Sequence, residues 1–200
     1  MPSPIAFYFD FSSPYGYFAS EQIERIAARH DRSVQWRPYL LGVAFKTTGG
    51  APLASIPLKS DYTMRDLPRT ARFLGLDYRH PERFPISSVH PSRAFYWADS
   101  QDPARAAQLA HALYRAYFNQ GIDISTPENT LEVCVRSGFD REAAAAGMAD
   151  PAVKERLRSE VEQGLALGVF GSPYFIVDGE PFWGSDRLDH VERWLASGGW

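Results

Sequence analysis

Cysteine is nearly missing from this chain of 200 residues. Cys134 stands alone, so no intrachain disulfide can form and no oxidising compartment is implied. Its setting, Leu131-Glu132-Val133-Cys134-Val135, is that of a buried, inert thiol. Basic excess is missing too: 21 Lys and Arg against 24 Asp and Glu leave a formal charge of −3, which disfavours a surface that tracks nucleic-acid phosphates. No apolar stretch approaches the roughly 20 residues that span a bilayer. Met1-Pro2-Ser3-Pro4 carries no basic leader, and lipidation motifs are absent, so the expectation is a soluble, cytoplasmic protein. His30, His80, His90, His111 and His190 lack His-x-His or His-Glu-x-x-His spacing, which leaves no metal site to expect. Gly49-Gly50 lacks the other glycines and the Lys-Ser/Thr of a phosphate loop, and no Gly-x-Ser-x-Gly marks a serine hydrolase.

What is present begins with Ile5 to Phe9, a short bulky run expected to form a central strand covered on both faces. Asp10-Phe11-Ser12-Ser13 then turns into a helix with Pro14 at its first position, where a missing N–H costs nothing, and Ser13 as N-cap. Ala19, Ile23, Ile26 and Ala27 recur at helical spacing on one inner face. His30-Asp31-Arg32-Ser33 ends that helix, and Val34-Gln35-Trp36 starts a second strand, completing β-α-β.

From Gly42 to Gly168 the texture changes to Ala-rich helical patterns. Asp61 to Leu74, Ala104 to Phe118, a helix opening at Thr126-Pro127-Glu128, Asp140 to Gly147 and Pro151 to Leu167 are the clearest. Strand signals return in Tyr174 to Val177, a two-residue Asp178-Gly179 turn, and Pro181-Phe182-Trp183. Gly184-Ser185-Asp186 launches an amphipathic helix through Leu188, Val191, Trp194 and Leu195. The order β-α-β, helices, β-β-α predicts an α/β thioredoxin-like core with a large all-helical insertion. The core is assigned to residues 1–41 and 169–200 and the insertion to 42–168.

In such a fold Ser13-Pro14-Tyr15-Gly16 occupies the place where a redox protein carries Cys-x-x-Cys. A serine cannot exchange disulfides, so the helix N-terminus is expected to hold a thiolate that arrives on another molecule, glutathione foremost. Ser13 as a plain N-cap is compatible with that role. Gly171-Ser172-Pro173 sits where the fold places a cis proline that leaves Ser172 backbone groups facing the cleft, able to pair with a peptide-like ligand; an ordinary trans proline in a loop is the alternative. Ser185-Asp186 could receive the γ-glutamyl end, N–H groups taking its carboxylate and Asp186 its ammonium, or could merely cap the last helix. Lys59 could bind a glycyl or substrate carboxylate, or be a solvated surface lysine.

Together these segments resemble the 2-hydroxychromene-2-carboxylate isomerases, relatives of kappa-class glutathione transferases in the DsbA-like thioredoxin superfamily. The markers are Phe7 to Tyr15, Lys59 to Tyr62 with Arg65, Asp66 and Arg69, Phe84-Pro85, Val169 to Pro173, and Phe182 to Leu188. The resemblance implies Ser13 as the catalytic contact to glutathione sulfur, Ser172 and Pro173 beside it, Trp183, Gly184, Ser185 and Asp186 at the γ-glutamyl end, and Lys59 at the mouth. It also implies homodimerisation, and conversion of 2-hydroxychromene-2-carboxylate to trans-o-hydroxybenzylidenepyruvate by reversible thiolate addition. Gly50 and Ser87 stand where related chains commonly place Asn. Tyr39, Phe45, Tyr62, Phe84, Ser87, His90 and Arg93 are candidate substrate contacts, the aromatics being equally suited to the core. A kappa-like transferase and a redox-inactive peptide-binding module are the competing readings.

Overall fold

The computed structural model describes residues 3–200; Met1 and Pro2, and the leader reading that falls on them, lie outside the described residues. Strand β1 (Ile5–Phe9) leads into α1 (Pro14–Arg29) and then β2 (Val34–Pro38). Helices α2 (Leu41–Thr48), α3 (Lys59–Leu74), α4 (Val89–Asp99), α5 (Pro103–Phe118), α6 (Pro127–Arg136), α7 (Arg141–Ala149) and α8 (Pro151–Ala166) follow. The chain returns as β3 (Tyr174–Val177), β4 (Glu180–Trp183) and α9 (Leu188–Ser197). One four-stranded sheet runs in the order β2-β1-β3-β4, with β1 and β2 parallel and the remaining pairs antiparallel. This is the thioredoxin-like plan with helices inserted between β2 and β3.

The local chemistry explains the elements. Pro occupies the first turn of α1, α5, α6 and α8, and the side chains of Ser13, Asp102, Thr126, Asp140 and Asp150 cap α1, α5, α6, α7 and α8. Helix α3 begins at Lys59, two residues before the expected Asp61, and α9 begins only after a 3-10 turn over Ser185–Arg187. The hairpin turn falls at Asp178 and Gly179, both with positive φ.

The core is aromatic. Phe7 stacks on Phe9 and Phe175, Trp36 meets Phe7 and Phe9 edge-on, and Tyr114 bridges Phe9, Phe11 and Phe118. Each such ring removes on the order of 150–250 Å² from water, so the sheet needs no covalent staple. Cys134 is fully buried, and burial pushes its thiol up to about 12, in keeping with an inert side chain.

One ionic cluster ties α1 to α5. His111 lies 3.3 Å from Glu21 and 3.1 Å from Glu24, and Arg115 closes on Glu21 at 2.7 Å. Burial disfavours the charged imidazole, but the two carboxylates outweigh it and hold His111 up at about 9. Burial likewise opposes Glu21 ionisation, and His111 with Arg115 overcomes it, bringing that carboxyl down to about 2. The stability from raised His111 is fully present below its unfolded value of about 6.5 and is lost as pH rises through about 9. That from Glu21 is lost as pH falls through about 2. His111→Ala is therefore expected to cost about 1–2 kcal/mol near pH 6 and progressively less toward pH 10, measured by urea unfolding at both pH values.

Candidate active site

The site forms where the C-terminal end of β1 hands over to α1. Ser13 has extended backbone (φ −91°, ψ 113°) and is buried. Its hydroxyl oxygen accepts the Gly16 N–H at 3.0 Å and its proton is donated to the Ser172 carbonyl at 2.9 Å. No acidic side chain stands in the first turn of α1, so the partial positive charge of its N-terminus is left for other use. Pro14 has no N–H, Gly16 gives its own to Ser13, and the Tyr15 N–H makes no hydrogen bond among the described residues. The Ser13 hydroxyl and the Tyr15 amide are thus donors grouped at one helix end.

Facing them, the Ser172–Pro173 peptide bond is cis, as the fold analogy anticipated. Ser172 Oγ accepts the Asp10 N–H at 2.9 Å, and the Pro173 carbonyl accepts the Gly184 N–H at 3.0 Å, linking this loop to the end of β4. Gly184 has φ 109°, a conformation that favours glycine. The Asp186 carboxylate folds back over Gly184, where a Cβ would stand 2.4 Å from Asp186 Oδ1. Asp186 pairs with Arg187 at 2.9 Å and is largely exposed.

A cavity of about 370 Å³ opens between these loops and the helical insertion. Ser12, Ser13, Tyr15 and Ser172 form one end; Leu41, Phe45 and Thr48 of α2 with the 50–56 segment form a wall. Phe84 and Pro85 close one side, and Phe170, Gly171 and Trp183 close another. Trp183 packs against Gly171, where a Cβ would meet its Nε1 at 2.1 Å, and Phe170 meets the indole edge-on at 4.8 Å. Lys59, exposed at the first position of α3, is the one formally charged residue in the lining. The cavity therefore combines an apolar chamber, one cation and a cluster of donors at one end.

Of the residues singled out from sequence, Ser13, Ser172, Lys59, Phe45, Phe84 and Trp183 border this cavity. Pro173, Gly184, Ser185 and Asp186 are not in its lining; Gly184 is tied to Pro173 by its N–H, next to the Ser172 and Trp183 that are. Tyr39 does not reach it: the ring is fully buried and its hydroxyl donates to the Val169 carbonyl at 2.9 Å, so it belongs to the core. Tyr62 points to the surface at 60% exposure, within the Asp66 and Arg69 cluster. Ser87, His90 and Arg93 fall outside the lining; burial, then the neighbouring Arg93, pull the His90 imidazole below its usual value. Gly50 does line the cavity, and a Cβ there would stand 3.0 Å from the Phe45 ring.

Sequence reasoning missed Asp10, Tyr15, Thr48, Thr63 and Phe170. Tyr15 donates to Asp66 Oδ2 at 2.7 Å, which places a ring in the cavity wall and a polar tip outside it. Burial, followed by that carboxylate, pushes its phenol well up, so it stays protonated. Asp10, a lone acid leaving an apolar strand, was the one with a visible signal.

Comparison with known proteins bears on the family and the fold. The DSBA-like thioredoxin domain matches residues 4–196. A 2-hydroxychromene-2-carboxylate isomerase of Sphingobium xenophagum is 32% identical over 198 residues, covering 98% of this chain and 99% of its own. A glutathione S-transferase kappa 2 of Caenorhabditis elegans is 31% identical over 206 residues, with 96% and 91% covered. The solved structure of a 2-hydroxychromene-2-carboxylate isomerase superposes with a TM-score of 0.84 at 25% identity, over 96% of this chain and 94% of that one. With a serine at the helix N-terminus, a cis proline facing it and relatives aligned end to end, the chain belongs to the DSBA-like thioredoxin domain family, alongside 2-hydroxychromene-2-carboxylate isomerases and kappa-class glutathione transferases.

Proposed function

We propose that this protein is a glutathione-dependent isomerase of unsaturated aromatic 2-oxo acids, interconverting 2-hydroxychromene-2-carboxylate and trans-o-hydroxybenzylidenepyruvate or a close analogue. The observation that carries the reading is the pairing of the Ser13 hydroxyl with the Ser172 carbonyl across the cleft, beside an unused Tyr15 N–H. The relatives named above supply the reaction class.

The residues present suit the tripeptide. Ser172 N–H makes no hydrogen bond among the described residues, so it is available to the carbonyl of an extended cysteinyl unit. The Gly184 to Asp186 turn would take the γ-glutamyl end, and Lys59 a carboxylate at the mouth. Bound glutathione supplies a thiolate that adds reversibly to a conjugated double bond, turning it into a rotatable single bond. The chain's share of the work is to keep that sulfur anionic, hold the substrate and exclude water. Ser13 would turn its proton from the Ser172 carbonyl to the sulfur, the Tyr15 N–H would be a second donor, and the helix dipole would favour the charge. Aromatic walls from Phe45, Phe84, Phe170 and Trp183 would enclose a planar apolar body. A cytoplasmic homodimer accompanies this reading, from the resemblance alone.

A kappa-like transferase is the second reading, supported by the nearly equal identity to the nematode kappa protein. Mass spectrometry of the product separates them: an isomer keeps the substrate mass, whereas a conjugate gains the tripeptide. Loss of turnover on omitting glutathione is required by both, and turnover without it contradicts both. Asp186→Asn is expected to weaken glutathione about tenfold through its α-ammonium without lowering the melting temperature. Calorimetric affinity equal to wild type removes Asp186 from the site.

A further inference from the structure

We propose that Asp10 is the positioning residue of this site, setting where the Ser13 hydroxyl and the Ser172 carbonyl stand relative to each other. The inference rests on the reading of Ser13 as the group that faces glutathione sulfur.

Asp10 is buried and makes five hydrogen bonds. Its N–H donates to Ser172 Oγ at 2.9 Å. Its carbonyl accepts from the Ser13 N–H at 2.8 Å and from the Tyr114 hydroxyl at 3.0 Å. Its carboxylate accepts the Ser12 N–H on Oδ1 and the Leu41 N–H on Oδ2, each at 2.8 Å. One residue thereby joins the loop that carries Ser13, the loop that carries Ser172, the first turn of α2 in the cavity wall, and α5 in the core.

No Lys, Arg or His forms an ion pair with Asp10 among the described residues. Burial raises its carboxyl, and the Ser12 and Leu41 amides, followed by the Ser88 and Ser12 hydroxyls, work against that rise. A carboxylate in such a place is costly unless its oxygens are bonded, and here both are used on backbone amides. The bond to Ser12 folds residues 10 to 12 into a closed turn. That turn aims the Asp10 carbonyl at Ser13 and Tyr114 and its N–H at Ser172. The side chain touches no reacting atom; it acts through the two serines.

The charge and the placement of Asp10 push the bound thiol in opposite directions, which makes the role testable. A nearby negative charge disfavours a thiolate, so removing it should lower the thiol pKa if charge were what matters. Removing the placement should raise it. Asp10→Asn keeps the volume but turns an NH₂ toward one of the two backbone donors, so one buried N–H loses its acceptor.

The experiment first titrates the thiol of glutathione bound to the wild-type protein by thiolate absorbance, then repeats it with Asp10→Asn, Ser13→Ala and the double variant, with kcat and KM for each. In Asp10→Asn the bound thiol pKa is expected to rise by about one unit. Its kcat is expected to fall about 10-fold to 100-fold, with KM for glutathione changed less. In the Ser13→Ala background, Asp10→Asn adds little further loss, because both act on the same bond. A pKa that falls, a kcat that stays at wild type, or losses that multiply independently overturn the proposal. If Asp10→Asn does not fold, Tyr114→Phe removes only the hydroxyl that anchors the Asp10 carbonyl; it is expected to raise the pKa by about half a unit and lower kcat about threefold, and wild-type values overturn the proposal equally. A wild-type thiol that titrates like free glutathione refutes the glutathione reading itself, and the Asp10 role with it.

Discussion

Ser13→Ala is expected to slow turnover about 100-fold at saturating substrate while the protein still folds. The hydroxyl is the one side-chain donor at the N-terminus of α1 within hydrogen-bond reach of the Ser172 carbonyl, so it is the group best placed to hold a developing sulfur anion there. Removing a preorganised donor of this kind typically costs a factor of 10²–10³ in kcat. The same hydroxyl caps α1 by accepting the Gly16 N–H, and losing the cap costs about 1 kcal/mol. For a chain of this size that is a melting temperature lower by about 2–4 °C. The two effects are separable because the capping loss is small and the catalytic loss is large. Steady-state kinetics with a melting curve on the same sample checks the split; equal kcat contradicts the catalytic role, and a collapsed melting curve makes Ser13 a folding residue.

Gly16→Ala is expected to damage the same site from behind. An added Cβ would stand 2.6 Å from the Tyr114 hydroxyl oxygen, 2.9 Å from Ser172 Oγ and 3.2 Å from Ser13 Cβ. None of these can yield freely, since Tyr114 Oη is bound to the Asp10 carbonyl and Ser172 Oγ to the Asp10 N–H. Replacing Gly by Ala inside a helix ordinarily gains up to about 1 kcal/mol. Here overpacking outweighs it, for a net loss of about 3 kcal/mol with most activity gone. Gly42→Ala is the matched control: Gly42 lies in α2 with nothing within 4 Å of the new Cβ, so the helical gain stands alone and stability rises by up to about 1 kcal/mol. Urea unfolding of both variants tests the opposite signs; destabilisation by both would mean that helix interiors here reject Ala for another reason.

The core β-α-β and the final hairpin were legible because period and punctuation agree in them. Ala19, Ile23, Ile26 and Ala27 are all buried on the inner face of α1, and Ile5 to Phe9 is a covered central strand. Helix α4 lacks that agreement. It buries Pro91, Ser92, Ala94, Phe95, Tyr96 and Ala98, leaving a narrow half-buried stripe of Val89, His90, Arg93 and Trp97, in which polar and apolar residues mix and blur the period. The cavity wall was harder still: α2 is eight residues long and Leu53–Ser55 is a single 3-10 turn, both shaped by what they pack against. Ser13 and Ser172 were visible because a helix start and an X-Pro step have local signatures. Aromatics carry no such mark: Phe45 and Phe84 reached the cavity while Tyr39 turned into the core, and only tertiary packing decides between those fates.

The claim on which the functional account rests is that the N-terminus of α1, through the Ser13 hydroxyl and the Tyr15 amide, holds glutathione as its thiolate. The most direct measurement is an absorbance titration of glutathione in complex with the unmodified protein, set against the free tripeptide. The expected result is a thiol that ionises at least about one unit below the ordinary value of about 8.5. A complex whose thiol ionises where the free tripeptide does, or a protein that takes up no glutathione at all, contradicts the account.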